Sequence, residues 1–452
     1  MNYIEANNTL KEIEKQFDVM SVIYKGVSVW PYVRCYLVDM LGYQKARKPS
    51  ASNVFFILKN LFAYNPLVIT KKMDIWSYSG VITRKQIGDK YYHHVSGTLP
   101  LITERVLNLE NPESSRPHLK KNEIPEKHII SNAWSILLSR GFEYFLRLKK
   151  FPIENESVFE EINNKYNIKF DYKFRIRLLY AQKLATDFLL FLGRQPKVIA
   201  MECPYDQSGY VWSFHEHNIP VVELQHGVLN DNHYAYNSMF QGGILAPDEI
   251  CVYGDEEYKF LNDRKVPYCS KVTKTGLFIL DKSEQYFDND IFENERKKYR
   301  GIVVVAGQSD CEESLLSFIE EASVNTPDIF YAYIPRRVCS ISTKKNNIKI
   351  FFNVNIYQYL KWCDLHCTVS STTCLEVQYF RKPNIFIELN NTARQYYGSL
   401  LKEENGSFFI KDVHEYIKVV YNCLESNTFK FLNLFSRGNE QKIKNVFSKY
   451  IS

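Results

Sequence analysis

No run in this 452-residue sequence approaches the roughly 18–20 consecutive apolar residues of a membrane-crossing helix, so none is expected. The opening MNYIEANNTLKEIEKQ is polar and charged and lacks the apolar core of a secretory signal, so the expected location is the cytoplasm. Paired cysteines are missing too. Ten cysteines are scattered, and Cys203, Cys251 and Cys367 sit in or beside apolar runs, as reduced core cysteines do. Cys363, His366, Cys367 and Cys374 lie close in sequence. However, 365–369 reads as a strand, which sends neighbouring side chains to opposite faces, so no metal site is expected there. Charge of one sign is also scarce. A net +6 suits an anionic ligand or an anionic membrane surface. It is too weak to argue for nucleic acid, and no zinc-finger, basic-helix or RRM-like pattern occurs. There is no internal repeat and no low-complexity tract.

What remains is the composition of a globular protein, 45% hydrophobic and 24% charged, long enough for two domains. Aromatic residues are abundant, with 32 Tyr and 30 Phe. Beyond the core, such a surplus suits sugar-facing or membrane-facing surfaces.

The most informative stretch is Val369-Ser370-Ser371-Thr372-Thr373-Cys374-Leu375-Glu376, ending in Arg381-Lys382-Pro383 before Asn384–Ile387. It reads as strand, hydroxyl-rich turn, short helix, turn, strand. Hydroxyls at a helix start either cap the helix or, with free N–H groups and the positive dipole end, hold a phosphate. Glu376 falls one turn further in and could take two ribose hydroxyls.

In chain order, 6–18 reads as an amphipathic helix and 22–29 as a hairpin around Gly26. Trp30-Pro31 opens a helix that Gly42 ends. The basic linker 45–50 and the aromatic segment 55–64 could lie on a membrane or pack on the next domain. Residues 73–78 form a strand, and the polar loop 79–97 after it carries Asp89, His93 and His94. Residues 108–127 read as loop, while 131–149 and 172–193 read as helices. A βαβ unit follows, with strands at 197–201 and 219–224, the second ending in Gln225-His226-Gly227. Strands at 250–253 and 271–275, the latter followed by Gly276, complete the first set. The charged stretch 281–298 reads as a linker. A second set then begins with the near-continuous valines of 301–306, typical of a parallel sheet, followed by Gly307-Gln308. The expected domains are 1–285, 286–428 and a helical tail, 429–452, packing back on the first.

SSTTCLEVQYFRKPNIFI, VVELQHGVLNDNHYAYN and GVSVWPYVR together resemble bacterial glycosyltransferases of the GT-B fold that build capsule and lipopolysaccharide glycans. The resemblance implies two Rossmann-like α/β domains, mainly parallel, facing a central cleft. It implies a metal-independent enzyme with no cofactor, which moves a sugar from a nucleotide-sugar donor to a glycan or lipid-linked glycan acceptor. One departure stands out. Relatives that use CMP-sugars carry a His-Pro pair where this sequence has Tyr333-Ile334-Pro335-Arg336-Arg337. Either arginine could meet phosphate instead, or both are solvated loop residues.

The expected donor-binding set is Gly307, Gln308, Arg336, Arg337, Ser370, Ser371, Thr372, Thr373 and Glu376. The expected catalytic base is His226, at the carboxyl end of a strand, unless it is a structural histidine holding the Gln225–Gly227 turn. Asp89, Glu202 and Asp206 are alternative carboxylates, and Gly227 and Gly276 would let ligand approach the backbone. Two other readings remain: a sugar-nucleotide epimerase, which needs several carboxylates and histidines around one sugar, and a non-catalytic scaffold. Peripheral contact with the anionic inner face of the inner membrane, through Lys45, Arg47, Lys48, Lys442 and Lys444, is a further expectation.

Overall fold

The computed structural model describes residues 3–43, 51–113, 117–336, 340–389, 392–426 and 428–452. Lys45, Arg47, Lys48 and Arg337 therefore lie outside the described residues. The chain divides into two compact units. The first is Met1–Lys85, Asp89–Phe278 and Arg437–Ser452; the second is Gln86–Gly88 and Ile279–Ser436.

Unit 1 is built on a seven-stranded sheet whose strands are β1 (Ile75–Gly80), β2 (Val106–Asn111), β3 (His128–Ser131), β4 (Val198–Met201), β5 (Val221–Leu224), β6 (Glu249–Val252) and β7 (Lys271–Lys274). Their order is β7-β6-β5-β4-β1-β2-β3, and every pairing is parallel. The chain starts in the middle, at β1, and winds outward in both directions. The carboxyl ends of β1 and β4 therefore flank the switch point where ligands collect in such sheets.

Unit 2 repeats the plan with six parallel strands: β8 (Gly301–Ala306), β9 (Ile329–Ile334), β10 (Ile348–Ile350), β11 (Leu365–Thr368), β12 (Asn384–Ile387) and β13 (Ser407–Ile410). The order β10-β9-β8-β11-β12-β13 puts its switch point between β8 and β11. β8 and β9 are buried along their whole length, which is why they read as unbroken apolar runs.

Three stretches differ from the sequence reading. Residues 108–111, expected as loop, belong to β2. Its polar Asn108 and Glu110 break the apolar signal because they are buried partners in a network rather than solvated loop residues. The polar loop after β1 contains a small two-stranded sheet, Arg84–Ile87 with Lys90–His93. The charged stretch expected as a linker packs onto unit 2: the Tyr379 hydroxyl donates to Asp281 and Glu284 at 2.6 and 2.9 Å.

The last helix, Asn439–Ile451, belongs to unit 1. Asn439 Nδ2 donates to the carbonyls of Thr275 and Gly276 at 3.2 Å, and its Oδ1 accepts from the Thr98 hydroxyl at 2.5 Å. Gly276 has φ +79°, the left-handed region that glycine enters at least cost. Its carbonyl thus helps to anchor the tail helix.

Candidate functional site

In unit 2 the switch point is stitched by Thr368, whose hydroxyl donates to Ala306 O at 3.0 Å and accepts from the Ser371 amide at 3.3 Å. Gly307-Gln308 and Ser370-Ser371-Thr372 are thereby neighbours at the carboxyl ends of β8 and β11. Ser370 and Ser371 are half-buried and Thr372 is exposed, so all three are within reach of a ligand. Thr373 is not: it is buried, with its hydroxyl 3.1 Å from His366 Nε2. His366 Nδ1 lies 2.5 Å from Asn384 Oδ1, and burial pushes this histidine down to about 4. It is a neutral core residue. Glu376 is buried within the seven-residue helix Thr373–Tyr379, beside Cys374 and Tyr397.

Glu312 was missed. It opens the helix Glu312–Asn325, and its carboxylate lies over Gly307, where an added Cβ would come within 2.3 Å of Oε1. The face of Gly307, expected among the donor-binding residues, is thus covered by the Glu312 side chain. Glu312 Oε1 accepts the Arg336 amide at 3.2 Å. Burial raises the Glu312 pKa, opposed by bonds from the Gln308 and Arg336 amides and the Arg336 charge. Glu312 Oε2 and Gln308 Oε1 are both buried with no hydrogen-bond partner among the described residues. The Arg336 side chain is exposed.

In unit 1 the titratable groups gather where β1, β4 and β5 end. Glu202 directly follows β4 and is buried; burial raises its pKa against the opposing pull of His93 and the Ser96 hydroxyl, 3.2 Å from Oε1. His226 follows β5 with Nε2 3.4 Å from the Tyr205 hydroxyl and Nδ1 buried without a partner among the described residues. Burial pushes it down to about 4. His233 falls to about 4 and His94 to about 3, again through burial first, with His226 adding repulsion to both. At neutral pH these imidazoles are uncharged and able to accept a proton. Asp206, in the turn after β4, is exposed, and its carboxyl is pushed up by the protein around it and by the Asp39 charge.

The Gln225–Gly227 turn is held by Gln225 itself, whose Nε2 donates to Gly227 O at 2.7 Å and whose Oε1 accepts the Tyr253 amide at 2.7 Å. His226 is not needed for that turn. A Cβ at Gly227 would meet nothing within 4 Å, so this glycine does face open space. Asp89 sits at the tip of the small two-stranded sheet with its side chain 88% exposed, 4.0 Å from the Lys90 ammonium.

A second group beside this cluster was invisible in sequence. Arg84 is buried against Glu110 of β2 at 2.5 Å and Glu126 at 3.1 Å. His118 Nδ1 lies 2.6 Å from Glu110 Oε2, and His93 Nε2 is within 3.0 Å of Ser79 and 2.8 Å of Asn108. Burial pushes the Glu110 carboxyl up, but His118, His93 and Arg84 overcome it and hold the group well below the usual carboxylate range. The network pins the polar loop carrying His94 and Ser96 onto the ends of β1 and β2. Its one sequence signal was the pair of polar residues inside an otherwise apolar run, Asn108 and Glu110. Among the described residues no group of three or more His, Cys, Asp or Glu side chains is arranged to hold a metal ion.

Two parallel sheets, each with polar loops at its switch point, invite comparison with known enzymes. The fold is α/β and GT-B-like. UDP-GlcNAc 2-epimerase from Methanocaldococcus jannaschii superposes with a TM-score of 0.50 at 11% identity, over 83% of this chain and all of that one. S. aureus MnaA, solved with UDP, gives 0.51 at 10% identity over 83% and 96%. The glycotransferase of kitacinnamycin gives 0.50 at 9% identity over 84% and 100%. At these identities the likeness is one of fold. No family model matches the sequence, and no curated protein does so either.

Proposed function

We propose that this protein is an enzyme acting on a sugar nucleotide. Unit 2 holds the nucleotide at the β8–β11 switch point, with phosphate at Ser370, Ser371 and Thr372. Unit 1 carries acid–base groups at its own strand ends: His226 as base, Glu202 as acid, and Asp206, whose pKa is raised, as a second base. The observation that carries this reading is the collection of Glu202, His94, His226 and His233 at the strand ends of unit 1, with burial holding the histidines neutral and raising the carboxyl. The fold it shares with UDP-GlcNAc 2-epimerases and a glycotransferase supports the substrate class.

Epimerisation is the favoured reaction. It removes a carbon-bound proton and returns one to the opposite face, so it needs more than one acid–base group. Glu202, His94, His226 and His233 at the strand ends of unit 1 are candidates for those groups. Transfer to a capsule or lipopolysaccharide glycan is the second reading, favoured by the LQHG and serine-rich segments. It needs one base to deprotonate the acceptor hydroxyl, with hydroxyls and arginine meeting the charge of the leaving group.

One experiment separates the readings. The protein is incubated in D2O with UDP-, GDP-, dTDP- and CMP-sugars and followed by NMR. An epimer carrying deuterium at the inverted carbon supports the first. Nucleotide release with sugar hydrolysed or transferred supports the second. No turnover, together with no thermal shift by any nucleotide, would leave the scaffold reading.

A further inference from the structure

No helix among the described residues is long and apolar enough to cross a membrane. Unit 1 nevertheless exposes large apolar side chains where three segments meet. Phe191 is 84% exposed at the end of the long helix Tyr172–Leu192, with Phe188 and Leu192 beside it, while Phe62 and Leu67 are 71% and 70% exposed. The segments are joined by contact. Trp134 packs edge-on against Phe62 at 5.5 Å and donates from Nε1 to Leu61 O at 2.9 Å. Gly193 abuts the Ile69 carbonyl, and Ile69, Leu189 and Leu190 share a core with Leu138. Scattered exposed apolar residues need no explanation, but several large ones on three segments that pack together mark a contact surface.

The charge around the patch selects the partner. Across 56–72, 133–140 and 186–197 there are six basic residues (Lys59, Lys71, Lys72, Arg140, Arg194, Lys197) and one acid, Asp187. Asp187 is already paired with Lys183 at 2.8 Å. Exposed aromatic side chains on segments rich in lysine and arginine match an anionic lipid interface, where rings enter the headgroup region and cations meet phosphate. We propose that this face of unit 1 is a docking surface for an anionic bilayer, formed by Phe62, Leu67, Phe188, Phe191 and Leu192 with Lys59, Lys71, Lys72 and Arg194. The surface is independent of the reaction proposed above; it includes Lys59 and Phe62 of the aromatic segment 55–64 and not the tail residues Lys442 and Lys444.

The full chain is sedimented with vesicles of phosphatidylcholine alone and of equal parts phosphatidylcholine and phosphatidylglycerol. Binding is expected to the anionic vesicles at low salt, falling as salt rises. Phe62→Ser with Phe191→Ser should lower the partition constant by about tenfold, and each removed cation by about fivefold. Both phenylalanines are exposed, so the circular dichroism spectrum and melting temperature should not move. Three outcomes overturn the proposal: no binding to anionic vesicles at low salt, equal binding by the double variant, or concentration-dependent self-association that the double variant abolishes without vesicle binding.

Discussion

Arg34 Nε meets Glu14 Oε1 at 2.8 Å, and both side chains are almost wholly buried. The pair ties the amino-terminal helices to the loop that follows His226. Arg34 also donates to the Tyr234 carbonyl and, at 2.9 Å, to Asn237 Oδ1. Glu14 accepts from Trp30 Nε1 at 2.9 Å and from the Met239 amide at 3.1 Å. Two of the segments that suggested a family, GVSVWPYVR and LQHGVLNDNHYAYN, are therefore halves of one contact. Arg34→Ala leaves a buried carboxylate without its counter-charge and should cost about 3–5 kcal/mol. Urea unfolding checks this, and Arg34→Lys should not restore stability because an ammonium lacks the planar fork whose Nε, Nη1 and Nη2 each face a different acceptor.

Glu223 offers a clean pH test. It is buried on β5, accepts hydroxyls from Tyr236 and Tyr268 at 2.6 and 2.7 Å, and is pushed up to about 7 by burial, partly offset by those two bonds. A carboxyl whose folded pKa is raised contributes stability below its unfolded pKa and loses it as pH rises through the folded value. Wild-type stability should thus fall between about pH 4.5 and pH 7 from this group, by on the order of 3 kcal/mol. Glu223→Gln should remove that slope. The difference in melting temperature between the two proteins should change from about pH 4.5 to pH 7 and hold constant above it; parallel curves would show that the group does not titrate there.

If His226 is the base, His226→Ala should lower turnover by about 10²–10⁴-fold with little change in nucleotide affinity. Single-turnover kinetics and calorimetry read the two effects separately. Lost affinity with turnover intact would make it a binding residue.

Glu312 places a carboxylate over Gly307 at the start of a helix. If nucleotide phosphates bind at this switch point, that carboxylate repels them. Glu312→Gln keeps the shape and removes the charge, so it should tighten UDP binding by about threefold to tenfold. Unchanged affinity in calorimetry would put the phosphates elsewhere.

Much of the scaffold was legible locally. The valines of β8, the abrupt change from Leu365–Val369 to hydroxyl residues, and the Gln-His-Gly after β5 each mark a strand and its functional end through side-chain pattern alone. Alternation could not reveal β2, because Asn108 and Glu110 are polar for the sake of partners at His93 and Arg84. Nor could it tell the reachable Ser371 from Thr373, which its neighbour His366 occupies, or show that Glu312 fills the space over Gly307. Arg34 and Tyr234 are 200 residues apart, and nothing near either announces the other. The sequence by itself determined which segments became strands and which side-chain chemistry stood at their ends. The tertiary structure alone decided which of those groups share a site and which protonation state each holds, because both depend on neighbours distant in the chain and on how completely they exclude water.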